Sequence, residues 1–126
     1  MKIPDSDQKS KISDIKRGDV VLVNLEPAKG SEQGGVRPAL IIQNDLGNKY
    51  SSTTIISPIT SKIPSKEYPF HVKLLRGDGG LERDSTILLD QIRTIDKLRI
   101  MKKLGQIDAA FLKKVDLAVR ISFGLE

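Results

Sequence analysis

Apolar residues in this chain gather in short blocks, each bounded by turn-forming residues. The first block, GDVVLVNL at 18–25, follows a Gly-Asp turn signal and is rich in β-branched side chains, so it predicts a strand. EPAKGSEQGG (26–35) reads as a loop, opened by a proline and loosened by three glycines. RPALIIQN (37–44) predicts a second strand; Pro38 biases Arg37 toward an extended backbone and suits the start of a strand. DLGNKYSS (45–52) reads as a turn, TTIISPIT (53–60) as a third strand and SKIPSKEYP (61–69) as a second polar loop. FHVKLL (70–75) alternates as a fourth strand, RGDGGLERDS (76–85) turns, and TILLDQIRTI (86–95) predicts the longest strand. DKLRIMKKLGQI (96–107) predicts a helical turn and a short final strand.

The tail changes period. Phe111, Val115, Ala118 and Ser122 recur near helical spacing with Ile107 and Leu112 alongside, Asp108 is placed to cap them, and Gly124 follows their end. Short strands at regular spacing, one terminal helix and no room for helices between strands predict a mainly β fold: a small antiparallel barrel with a C-terminal α-helix.

The length of 126 residues suits one domain, read as residues 15–126 behind a polar, disordered leader at 1–14. That leader has no apolar h-region and is no signal peptide. The longest apolar blocks are far too short to span a membrane. With no cysteine, a disulfide, a thiolate nucleophile and a Cys-ligated zinc are excluded. A cytoplasmic protein is expected.

Charge sharpens the picture unevenly. The formal net charge is +5, but residues 1–90 hold 13 basic and 12 acidic side chains, while residues 91–120 hold 8 against 3. A basic C-terminal third fits an anionic partner such as nucleic acid or an acidic protein segment; it equally fits the solvated face of a helix. Five aromatics (Tyr50, Tyr68, Phe70, Phe111, Phe123) speak against a stacking platform for single strands.

Several chemistries drop out. A single histidine, His71, rules out a two-histidine acid–base pair within one subunit, and its place on a predicted strand reads as structural. No P-loop, dinucleotide fingerprint, zinc-protease or EF-hand pattern occurs. Asp78, Glu82 and Asp84 crowd one turn where a hard cation could sit, and are read instead as solvated turn acids. The pair Gly34–Gly35 reads as loop flexibility, because no helix follows to cradle a phosphate. Arg37 stands apart. Its planar, permanently charged guanidinium suits a phosphodiester, and Thr60 ends the third strand as Arg37 begins the second. If those strands are antiparallel neighbours, both side chains reach one end of the barrel under two loops.

On these residues the chain resembles the MazF/PemK toxin family, the endoribonuclease halves of toxin–antitoxin pairs. The likeness runs through KRGDVVLVNLEPAKGSEQGGVRPALIIQND, TTIISPIT, YPFHV, ERDSTILLDQIRTIDKLRI and the terminal helix, about residues 15 to 124. It implies an SH3-like, CcdB/MazF-like barrel, a homodimer, and sequence-specific cutting of single-stranded RNA without metal or other cofactor. The catalytic arginine and threonine fall on Arg37 and Thr60. Glu32, Gln33 and Gly34 of the first loop, Asp90 and Gln91 of LLDQ, and His71 fall on groove positions. Many relatives carry glutamate where Asp90 stands, so a base contact there differs. The resemblance also implies a MazE-like antitoxin whose acidic tail fills the groove, a second reading of the positive charge. CcdB-like toxins share the barrel but trap DNA gyrase without catalysis; that is the alternative, and GSEQGGVRP argues for the nuclease.

Overall fold

The computed structural model describes residues 14–125, so the polar leader, apart from Asp14, lies outside the described residues. In chain order the elements are β1 (Asp19–Asn24), β2 (Val36–Ile41), α1 (Asp45–Tyr50), β3 (Thr53–Thr60), β4 (His71–Leu74), β5 (Ser85–Leu88), β6 (Arg93–Asp96), β7 (Ile100–Gln106) and α2 (Ala109–Ser122). Single 3-10 turns occupy Asp78–Gly80 and Lys97–Arg99. The strands pair antiparallel in the order β4-β5-β3-β2-β1-β7, with β6 added to β3. The expected mainly β fold with a C-terminal helix is what forms.

The central strands are buried on both faces. Val20, Leu40 and Ile59 enter one core, covered by β4, β5 and α2, while Val21, Ala39 and Ile56 enter a second, covered by Ile95 and Ile100. The direct pairs Val20↔Leu40 and Val21↔Ala39 keep each set on its own face. A strand with no solvent face reads as an apolar run rather than an alternation, which is why VVLV and ALII are continuous. α2 closes the first core with Val115 and Ala118, and the Asp108 side chain accepts from the Phe111 N–H at 2.9 Å, as its capping position predicts.

β7 and β4 do not pair, so hydrogen bonds leave the barrel open. The 3-10 turn between β4 and β5 seals the gap against β7. A Cβ on Gly80 would lie 2.0 Å from the Leu104 carbonyl oxygen, and one on Gly105 2.6 Å from the backbone of Gly79. Backbone meets backbone there, and only glycine fits.

Three expectations change. DLGNKYSS is the helix α1 rather than a turn, started by the Asn44 side chain accepting from the Gly47 N–H at 2.8 Å. The final strand is not short, since β7 runs for seven residues. TILLDQIRTI is two strands. Three steps along β3, from Ile59 to Ile56, take six along its partner, from Ile87 to Arg93, so three extra residues are pushed out of the ladder between β5 and β6. That bulge carries Asp90 and Gln91. Bulges re-aim side chains in this way beside active sites. Among the described residues no helix is long and apolar enough to cross a membrane.

Candidate active site

β2 and β3 pair as Ala39↔Pro58, Leu40↔Ser57 and Ile41↔Ile56; continuing that register by two residues sets Arg37 across from Thr60. Both line one cleft of about 670 Å³ at the rim of the sheet. Arg37 is aimed from behind. Its Nε donates to the Gly34 carbonyl at 2.7 Å and its Nη1 donates to Gln33 Oε1. Two of its five donors hold the guanidinium in place, and the others have no protein acceptor among the described residues. Thr60 Oγ1 accepts from the Lys62 N–H at 3.1 Å, which leaves the hydroxyl proton to donate.

Gln33 is itself fixed, because its N–H donates to Gln91 Oε1 at 2.8 Å. It stands between the Arg37 cleft and a second hollow of about 610 Å³ that holds Glu32, Asp90, Gln91 and Arg93. Asp90 Oδ1 lies 3.3 Å from His71 Nε2. His71 in turn faces a third hollow, also about 610 Å³, under the 61–69 loop, with the Phe70 and Tyr68 rings edge-on to its imidazole. Residues singled out from sequence therefore gather in linked hollows: Thr60 and Arg37 line one cleft, Gln33 joins Arg37 to Gln91, and Asp90, next to Gln91 in the chain, reaches His71.

Gly34 contributes differently. It lines none of the three hollows; its carbonyl holds Arg37, and a Cβ there would come within 2.8 Å of Ala28 Cβ and Glu26 Oε1. Gly34 thus serves close packing rather than looseness, and Gly35 takes a positive φ of 73°. Gly35 is also tied down, its N–H donating to Glu26 Oε1 at 2.5 Å. The turn acids act locally: Asp78 accepts from the Leu75 N–H and Asp84 from the Arg76 N–H, each at 2.8 Å. Glu82 lines the Arg37 cleft, as do Lys62, Arg83 and Lys102, none of which sequence reasoning assigned to the site. No sequence signal distinguishes these four from other surface charges. Arg93 was missed for the same reason; only the register shift that pushes out Asp90 and Gln91 brings it to the second hollow.

The fold is of the SH3-like barrel class, and a fixed cation across from a hydroxyl in an open cleft is an arrangement chemically suited to an anion. Residues 16–123 match the PemK-like, MazF-like toxin of type II toxin-antitoxin system. The chain is 51% identical over 111 residues to endoribonuclease EndoA of Bacillus subtilis (strain 168), an alignment covering 88% of this chain and 96% of that one. Its fold is similar to MazF of Deinococcus radiodurans, with a TM-score of 0.74 at 31% identity over 87% of this chain and 96% of that one. It is also similar to the MazE-MazF (Form-II) structure from Deinococcus radiodurans, with a TM-score of 0.67 at 30% identity over 89% and 97%. The chain belongs to the PemK/MazF family of type II toxins. Membership supports the nuclease reading of GSEQGGVRP and not the gyrase-trapping alternative.

Proposed function

We propose that this chain is the endoribonuclease toxin of a type II pair, cutting single-stranded RNA at a short sequence motif without a metal ion. The observation that carries this reading is the doubly anchored Arg37 guanidinium across from Thr60. In such a reaction the 2′-oxygen bonds to the adjacent phosphorus as the bond to the 5′-oxygen breaks. The 2′-hydroxyl gives up its proton, the 5′-oxygen gains one, and a cyclic phosphate and a 5′-hydroxyl result. Charge builds on the non-bridging oxygens. Arg37 meets that charge, and it remains a cation at any ordinary pH. Thr60 donates its hydroxyl to the phosphate or the 2′-oxygen and fixes their alignment.

Sequence preference comes from the second and third hollows. Unstacked bases are read by hydrogen bonds to their edges, and Glu32, Gln33, Asp90, Gln91 and His71 present carboxylates, amides and an imidazole along that path. Gly34 supports the reading by letting the first loop close on Glu26 and by holding Arg37. The toxin domain is residues 15–126, it works as a homodimer in the cytoplasm, and a MazE-like antitoxin neutralises it by covering the same cleft. The MazE-MazF structure from Deinococcus radiodurans supports an antitoxin as the partner.

The test is incubation of a long, mixed-sequence single-stranded RNA with the protein in EDTA, wild type beside Arg37→Ala, with fragment ends sequenced. Discrete cuts bearing 5′-hydroxyls from wild type alone are expected. Equal cutting by the variant would remove Arg37 from the chemistry, and no cutting by either would reject the nuclease.

A further inference from the structure

We propose that the Arg37 cleft extends into a cationic track for the RNA backbone, formed by Lys62, Arg83 and Lys102, which holds nucleotides on one side of the scissile phosphate. The proposal rests on the nuclease reading above and adds residues that this reading does not use. The three cations come from three separate parts of the chain: the loop after β3, the turn before β5, and β7. All three line the same cleft as Arg37, and Glu82 is the one carboxylate in that lining.

What marks them out is how their neighbours are used. The basic run that contains Lys102 spends most of its charge on the protein itself. Lys97 is buried and donates to the Asn48 carbonyl. Arg99 donates to the carbonyls of Asn24 and Glu26. Lys103 lies 3.2 Å from the buried Asp19 carboxylate. Lys102, Lys62 and Arg83 make no side-chain hydrogen bond or ion pair among the described residues. Lys102 is also fixed in direction by register: it pairs with Leu22, which pairs with Pro38, so these three share one face of the sheet; Arg37 alternates to the other face, and all four line the same cleft at the sheet rim. Leu22, Pro38 and Leu104 give the track an apolar floor suited to sugars and base faces, with unpaired cations at its edge suited to phosphates. Hollow and charge thus divide the cleft system. Mixed amides, acids and one arginine lie beyond Gln33, where bases are read, and cations predominate on the Arg37 side, where only a backbone is held.

The experiment measures binding of a 20-nucleotide single-stranded RNA, 2′-deoxy at each position cut by the wild type, across a range of salt concentrations. Binding to single strands weakens with salt at a slope of about 0.7 per phosphate neutralised. Lys102→Ala is expected to lower that slope by about 0.7, and the triple variant with Lys62→Ala and Arg83→Ala by about 2. Lys113→Ala, on the exposed face of α2, removes the same charge outside the cleft and is expected to leave the slope unchanged. On cleavable RNA the track variants raise KM and leave kcat alone, as expected for binding equal in the ground and transition states. An unchanged slope in the triple variant, or an equal fall in Lys113→Ala, would overturn the track while leaving wild-type cutting intact. Loss of wild-type cutting in EDTA would overturn the nuclease reading instead. All three positions are exposed, so circular dichroism is expected to show every variant folded.

Discussion

At the scale of single residues, Arg37 matters for its geometry as much as its charge. Its Nε and Nη1 are spent on Gly34 and Gln33, which a lysine cannot imitate because its ammonium carries no fork. Arg37→Lys is therefore expected to cost nearly as much as Arg37→Ala, about 100- to 1000-fold in kcat, with an unchanged melting temperature. Cleavage rates within a few-fold of wild type for the lysine variant would show that charge alone suffices. Thr60 has two duties, since its oxygen also accepts from the Lys62 N–H. Thr60→Ser keeps both hydrogen bonds and is expected to cut at close to the wild-type rate, whereas Thr60→Val loses both, slows kcat and frees the 61–69 loop. Equal rates for serine and valine would make the hydroxyl irrelevant to chemistry. That Arg37 faces Thr60 was legible from sequence because Thr60 ends the third strand as Arg37 begins the second; their catalytic roles were implied only by the family resemblance. Gln33 as the group that aims Arg37 was not. Its role depends on Gln91, 58 positions away, and a local pattern cannot show that contact.

At the scale of elements, β-branched runs announced the central strands, and Asp108 announced α2. The bulge between β5 and β6 stayed hidden because TILLDQIRTI has no proline or glycine to mark it; only the register on β3 reveals three surplus residues. α1 stayed hidden because Gly47 weakens its helical signal and the helix is six residues long. Tertiary contact rescues it. Asp45 accepts from the Arg17 N–H at 2.7 Å, and that backbone hydrogen bond holds its carboxyl below the ordinary 3.8. A lowered folded-state value means that the carboxylate adds stability above its unfolded value and loses it as pH falls through the folded one. Asp45→Asn keeps an acceptor oxygen and drops the charge. Urea unfolding is expected to find the variant less stable than wild type at about pH 5, with the gap closing as pH falls below 3.8 and through the lowered folded-state value. A gap constant across that range would show that the bond to Arg17 does not depend on the charge.

At the scale of the whole molecule, the question is what keeps an unclosed barrel shut. Sequence pointed to a barrel, but the closure is not in any strand pattern, because it is made by backbone contact between the 76–81 turn and β7. RGDGGLERDS reads as an ordinary turn, and nothing in it names Leu104 and Gly105 as its partners. The same turn forms one wall of the Arg37 cleft through Gly80, Leu81 and Glu82. Closure and site are thus a single contact, and they should fail together. Gly80→Ala places a methyl against the Leu104 carbonyl at a positive φ of 76°, and neither backbone can yield without parting turn from strand. Overpacking of this kind costs about 3 kcal/mol or more, a large share of the roughly 5–15 kcal/mol typical of a folded domain. Gly77→Ala separates the causes. It has a positive φ of 96° but nothing within 4 Å, so only local strain applies, about 1–2 kcal/mol. Gly80→Ala is expected to lose both stability and cleavage, and Gly77→Ala to lose some stability while cutting RNA at the wild-type rate. Normal cleavage by a destabilised Gly80→Ala would show that the cleft does not depend on the seal.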